Sequence, residues 1–215
     1  MRIAAALCAL TLVALSPERV GAQEPPKPIG PFAIDVRGTI PRFPSDQQLA
    51  DSRGLLVAEL PGSGFGLDLG AHLYLFKWKA VTFGAGGQVT FGRSHSSEQD
   101  QAGIVVARAV TEHLTAFTPQ ISFNFGSGAG WSYLSGGAGP AVWSIVPDGQ
   151  EPLFPDEERL IEYNYGGGAR WFARPHLAFT FDVRIHAITK GTPVLGYPPS
   201  PFSRMVILGA GVSLK

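Results

Sequence analysis

Residues 177–187, LAFTFDVRIHA, alternate almost without a break: Leu177, Phe179, Phe181, Val183 and Ile185 are apolar, while Thr180, Asp182, Arg184 and His186 are polar. Successive side chains of a strand point to opposite faces, so this segment has one apolar face and one ionic face. The pattern recurs in about eight segments, 32–40, 64–75, 80–92, 113–125, 131–145, 160–172, 176–188 and 203–214. No stretch sustains a helical period. The one local exception is SDQQLADSR (45–53), where Ser45 and Gln48 fit a capping box for a short helix in a loop.

The connections alternate in length. KWK (77–79), GSGAG (126–130) and ARP (173–175) are tight, whereas 41–63, 93–112, 146–159 and 189–202 are long and rich in Pro, Ser, Asp and Glu. An antiparallel up-and-down meander produces this when every short turn lies at one end and every long loop at the other. The expectation is an all-β chain, an eight-stranded antiparallel up-and-down transmembrane β-barrel with short periplasmic turns and long extracellular loops.

Which face meets water separates a soluble barrel from a membrane barrel. The apolar rows hold Phe32, Ile34 and Val36, Phe65, Leu67 and Leu69, Val81 and Phe83, Phe117 and Ile121, Ile161, and Val206 and Leu208. The opposite rows hold Asp35, Arg37, Asp68, His72, Gln88, Gln120, Asn124, Glu162, Asn164, Arg170, Asp182, Arg184 and His186. In a soluble, lipocalin-like barrel the apolar rows would line a ligand cavity. Two features favour lipid outside instead. Trp78, Trp131, Tyr133, Trp143, Tyr163, Tyr165 and Trp171 collect near strand ends, where an aromatic girdle meets the membrane–water interface. The acids and bases of the polar rows are also nearly matched, as an enclosed polar lumen requires. Heights counted from the short turns bring Arg37 to Asp182, and His186 to Glu162. The glycine stretches GAGG (84–87), GGAG (136–139) and GGG (166–168) leave room opposite the long side chains.

The first residues read as an export signal: Arg2, the apolar core IAAALCALTLVAL (3–15) and the small residues VGA (20–22). The expected organisation is a signal peptide over 1–22, a Pro-rich tether over 23–31 and a barrel domain over 32–215. The single cysteine, Cys8, lies in the signal core, so the mature chain holds no disulfide. Zero formal net charge argues against a nucleic-acid partner.

The alternating rows and loop lengths resemble the small eight-stranded outer-membrane barrels of Gram-negative bacteria, the OmpA/OmpX/OmpW-like group, over about residues 32–215. The resemblance implies a monomer in the cell outer membrane, bounded by outer-membrane lipids, with a salt-bridged interior and mobile outside loops. Such barrels usually end in an aromatic residue, whereas this chain ends GVSLK.

Three functions fit this architecture. The leading expectation is a non-enzymatic structural or surface-interaction barrel whose long loops meet an extracellular ligand or surface. The second is a porin-like narrow channel or a conduit for small apolar molecules. The third is a lipid-acyl hydrolase using Ser97 with His95, oriented by Glu98 or Glu112. No cofactor and no metal site is expected. The acidic third loop (Asp148, Glu151, Asp156, Glu157, Glu158) reads as solvated.

Overall fold

The computed structural model describes residues 27–153, 157–194 and 196–215. The signal segment 1–22 with Cys8, tether residues 23–26, and Asp156 lie outside the described residues. The chain runs β1 (Phe32–Arg42), α1 (Gln47–Arg53), a 3-10 turn (Val57–Glu59), β2 (Gly64–Trp78), β3 (Val81–Ser96) and a small hairpin, β4 (Gln99–Gln101) and β5 (Ile104–Ala107). It continues with β6 (Val110–Ser127), β7 (Gly130–Pro147), β8 (Glu157–Arg174), β9 (Leu177–Ile188) and β10 (Ser203–Leu214). Eight of these strands close into an antiparallel barrel in the order β1-β10-β9-β8-β7-β6-β3-β2.

The eight alternating segments are the eight barrel strands, and most extend further toward the long-loop end than the alternation alone marks. The hairpin β4–β5 was not expected; it stands inside the loop read as 93–112. The capping of α1 also differs, because Asp46 rather than Ser45 accepts from Leu49 N, at 3.0 Å.

The register fixes the geometry. Pairing passes from Phe32 to Leu73, Ala85, Ile121, Gly136, Tyr165, Ile185 and Val206, and returns to β1 at Arg42. One circuit therefore shifts by ten residues (32 to 42) along β1. With a 3.3 Å rise and 4.8 Å strand spacing, this shear tilts the strands by about 41° and sets a backbone radius of about 8 Å. Each residue then climbs about 2.5 Å along the barrel axis.

The orientation asked of LAFTFDVRIHA follows. Phe65, Leu73, Ile121, Phe179 and Val183 are each more than half exposed, while Asp35, Arg37, Arg170 and Arg184 are at most 2% exposed. The apolar rows face outward and the ionic rows inward. Between the levels of Phe32 and Arg42, about 25 Å apart, no outward position of any barrel strand carries a charge. That height equals the apolar band of a membrane barrel.

Three aromatic residues of the expected girdle face the other way. Trp131, Tyr133 and Trp143 are buried, on the odd-numbered, inward positions of β7. The centre of that strand, SGGAGPA (135–141), has small residues on both faces, so alternation alone does not assign its sides. The rings are held inside by polar contacts: the Arg170 guanidinium lies 4.1 Å over Tyr133 and 5.7 Å over Trp131, and Trp143 Nε1 donates to Glu112 Oε1 at 2.7 Å. Trp78, Tyr163, Tyr165 and Trp171 are exposed on the outer face. Phenylalanines complete the lower rim, with Phe76 stacked on Phe83 at 4.7 Å and Phe83 edge-on to Phe123 at 5.4 Å.

Candidate functional site

The lower and middle parts of the lumen are filled by polar side chains, most of them joined in one hydrogen-bonded network and Glu162, His186 and Thr118 in a smaller group beside it. Nearest the short turns, Asp35 on β1 accepts from Arg170 Nε on β8 at 2.9 Å and from Ser213 on β10, and it lies 3.4 Å from Arg37 Nη1. Arg37 Nη1 donates to the Tyr133 hydroxyl at 3.2 Å, which in turn donates to Asp182 Oδ2 at 2.7 Å. Arg37 and Asp182 thus meet through a tyrosine.

Above them Arg184 grips both oxygens of Asp182 (2.9 and 3.0 Å), Asn164 Oδ1 (2.7 Å) and Ser135 Oγ (2.8 Å). Gln120 Nε2 donates to the same Asn164 oxygen at 2.9 Å. On the other wall Gln88 accepts from Arg37 at 3.3 Å and donates to Asp68 Oδ2 and Thr90 Oγ1, both at 3.0 Å. Glu162 is paired with His186 Nδ1 at 2.8 Å and accepts from Thr118. His72 is buried in the same lumen, but both its ring nitrogens lack a hydrogen-bond partner.

Small residues make these approaches possible. A Cβ at Gly168 would stand 2.6 Å from the Tyr133 hydroxyl and 2.1 Å from the Phe181 carbonyl oxygen.

Both ends of this network are covered. At the short-turn end Ile29, Ala33 and Trp131 pack with Tyr74 and Phe172, Trp131 stacking on Phe172 at 5.0 Å. The Lys215 ammonium sits 3.7 Å over the Phe172 ring and donates to the Gly128 carbonyl. The described part of the tether lies against this floor, with Gly128 N bonded to Lys27 O at 2.7 Å and Tyr74 N to Pro31 O at 2.9 Å.

At the long-loop end the inward positions become apolar. Val110, Leu114, Trp143, Ile145, Ile188, Met205 and Ile207 form one buried cluster with Phe43, Leu49, Ala50, Leu55 and Leu60 of the β1–β2 loop. That loop is a stopper for the mouth. Arg53 at the end of α1 bonds Glu158 Oε2 at 2.8 Å and lies 5.9 Å from the Trp143 ring centre, beside Glu112. Glu59 accepts from Arg108 Nε at 2.7 Å, from Arg108 N at 3.0 Å and from Leu56 N at 2.7 Å. The Arg108 hydrogen bond holds the Glu59 carboxyl well below its usual range, at about 2. The sequence signal for the stopper was present in Leu49, Leu55 and Leu60, apolar residues spaced through a loop otherwise rich in Pro, Ser and Asp.

The same fold occurs in solved structures. Neisserial surface protein A superposes with a TM-score of 0.53 at 15% identity, covering 86% of this chain and 97% of that one. The chain has the fold of the small eight-stranded outer-membrane β-barrels. Also similar are Ail, the attachment invasion locus protein of Yersinia pestis (TM-score 0.45, 14% identity, 86% and 99% covered), and the outer membrane protease OmpT of Escherichia coli (0.40, 10%, 85% and 96%). No protein-family model matches the sequence, and no curated protein does.

The serine–histidine pair of the barrel's long-loop rim is not assembled. Among the described residues no hydrogen bond joins Ser97 to His95. His95 Nδ1 lies 3.3 Å from Thr111 Oγ1 and 3.7 Å from Asp148 Oδ2. Glu112, one of the two acids expected behind His95, is fully buried inside the barrel and bonded to Trp143.

Proposed function

We propose that this protein is a non-enzymatic, outer-membrane-spanning barrel with a closed lumen, acting as a structural or surface-interaction module through its long-loop end. One observation carries this reading: the uncharged belt about 25 Å high that encircles all eight strands, which matches a bilayer and would be untenable in water. The filled lumen supports the non-conducting part. A polar network occupies the middle, an aromatic floor lies below, and an apolar stopper lies above.

Closure by packed side chains leaves the exposed loops and the hairpin β4–β5 as the surfaces available to a partner outside the cell. Ile104, Val105 and Val106 of that hairpin are exposed, as expected of a contact surface rather than a passive cover. Fractionation of cells into inner and outer membrane, with heat-modifiable gel migration of the purified protein, tests the location. Planar-bilayer recording tests closure: no stable single-channel steps are expected. Regular steps would refute the closed lumen, and recovery of the chain in the soluble fraction would refute the membrane reading.

A further inference from the structure

The upper edge of the apolar belt carries an ordered set of cations. Arg42 on β1, Arg93 on β3, His113 on β6, Arg159 on β8 and Arg204 on β10 all occupy outward positions and are exposed. The register places the five within a band about 6 Å high, directly above the last apolar rows. The nearest outward acid on these strands, Glu157, stands one outward position above Arg159.

Two features set these cations apart from the ion-paired arginines of the fold, although Arg204 also lies 5.4 Å over the Phe202 ring. Arg37, Arg53, Arg108, Arg170 and Arg184 each have a carboxylate within ion-pair distance, whereas among the described residues Arg42, Arg93, Arg159 and Arg204 have none. Basic residues are also brought together rather than kept apart. Arg93 stands directly opposite His113, and Arg42, paired with Val206, is the diagonal neighbour of Arg204 on the same face. Cross-strand neighbours of like character lie about 5 Å apart when opposite and about 7 Å when diagonal, an arrangement that is unfavourable until an anion sits between them.

We infer that this ring is a binding site for the phosphate groups of lipid headgroups. The inference rests on the membrane reading above, because it is the lipid belt that places headgroups at this depth. A phosphate oxygen matches the planar donor fork of arginine, and two guanidinium groups at this spacing bracket one phosphate. The apolar rows below hold the acyl chains of the same lipid, so chain and headgroup contacts reinforce each other.

The test uses the full barrel reconstituted in phosphatidylcholine vesicles with trace spin-labelled phosphatidic acid or spin-labelled phosphatidylcholine. Electron paramagnetic resonance then reads the fraction of each label immobilised at the protein. One arginine beside a headgroup phosphate is worth about fivefold, so the barrel is expected to prefer phosphatidic acid by about that factor. The preference should weaken with salt and shrink toward equality in the combined variant Arg42→Gln, Arg93→Gln, Arg159→Gln, Arg204→Gln. The four Arg→Lys changes should retain most of it. Equal immobilisation of the two labels by the wild type, or an unchanged preference in the glutamine variant, overturns the inference. So does displacement by inorganic phosphate beyond that caused by sodium chloride at the same ionic strength, which would assign the ring to a free anion. Failure of the wild type to enter vesicles at all would instead refute the membrane reading.

Discussion

Breaking the Asp182–Arg184 pair tests whether the lumen is a sealed, mutually dependent network. Arg184 is 1% exposed and spends four hydrogen bonds, two on Asp182, one on Asn164 and one on Ser135. Arg184→Met keeps most of the side-chain volume but leaves Asp182 held only by the Tyr133 hydroxyl at 2.7 Å and the field of Arg37. Stranding one member of a buried ion pair costs about 3–5 kcal/mol. The reverse change, Asp182→Leu, strands Arg184 and takes the acceptor from Tyr133, for a similar loss. The double variant removes both charges together, and its cost should approach that of either single change rather than their sum. The expected coupling is at least about 3 kcal/mol. Urea unfolding in lipid vesicles, followed by tryptophan fluorescence and by the unfolded band on unboiled gels, measures all four corners of the cycle. Additivity within about 0.5 kcal/mol, or single losses below about 1 kcal/mol, would falsify the sealed network and indicate that water solvates the pair.

Trp143→Phe leaves the buried Glu112 carboxyl group without its indole donor and should lower stability by about 1–3 kcal/mol; Glu112→Leu in the same background should restore much of that. The stopper should loosen in acid. The Glu59 carboxyl titrates at about 2 in the folded loop against 4.5 when free, so its contribution is complete above about pH 4.5 and disappears as pH falls toward 2. Pepsin nicking within 55–60, taken relative to cleavage of an unfolded reference peptide at the same pH, should rise over that interval, and Glu59→Gln should abolish this relative pH dependence; a flat wild-type profile would contradict the assignment. Gly168→Ala pushes a methyl group against the Tyr133 hydroxyl and the Phe181 carbonyl, and a lowered urea midpoint, equivalent to about 1–3 kcal/mol, is expected. Ser97→Ala should leave any acyl-ester hydrolysis by the purified protein unchanged, since no hydrogen bond links Ser97 to His95; a loss of measurable activity on this change would restore the serine to consideration.

Much of the fold was legible because a barrel strand obeys a strict two-residue period. Asp182 and Arg184 had to share a side that Phe179 and Phe181 did not. The reading lapsed where that period carried no information, on β7, whose SGGAGPA centre looks alike from both sides. It also lapsed where function-like residue types had two uses. A tryptophan near a strand end suits an interface, but Trp143 instead sits in the mouth because Glu112 supplies an acceptor for its N–H. The change from a polar to an apolar interior was hidden for a different reason. Leu114, Met205 and Ile207 are inward residues whose packing partners, Leu49, Leu55 and Leu60, come from a loop, and single-strand alternation says nothing about what a loop folds back to cover. The cationic rim emerged only when the pairing register put Arg42, Arg93, Arg159 and Arg204 at one height.

Asp35 has a consequence for how the ring comes to be completed. It sits on β1 and takes hydrogen bonds from Ser213 on β10 and Arg170 on β8. In a curled but open sheet, with β1 and β10 still apart, this carboxylate would look out through the gap at hydrocarbon, and the two unpaired strand edges would do the same. Zipping the seam extinguishes the exposed charge and the bare backbone in a single event. An ajar barrel is therefore penalised twice over, and the last strand pair joins all at once or not at all.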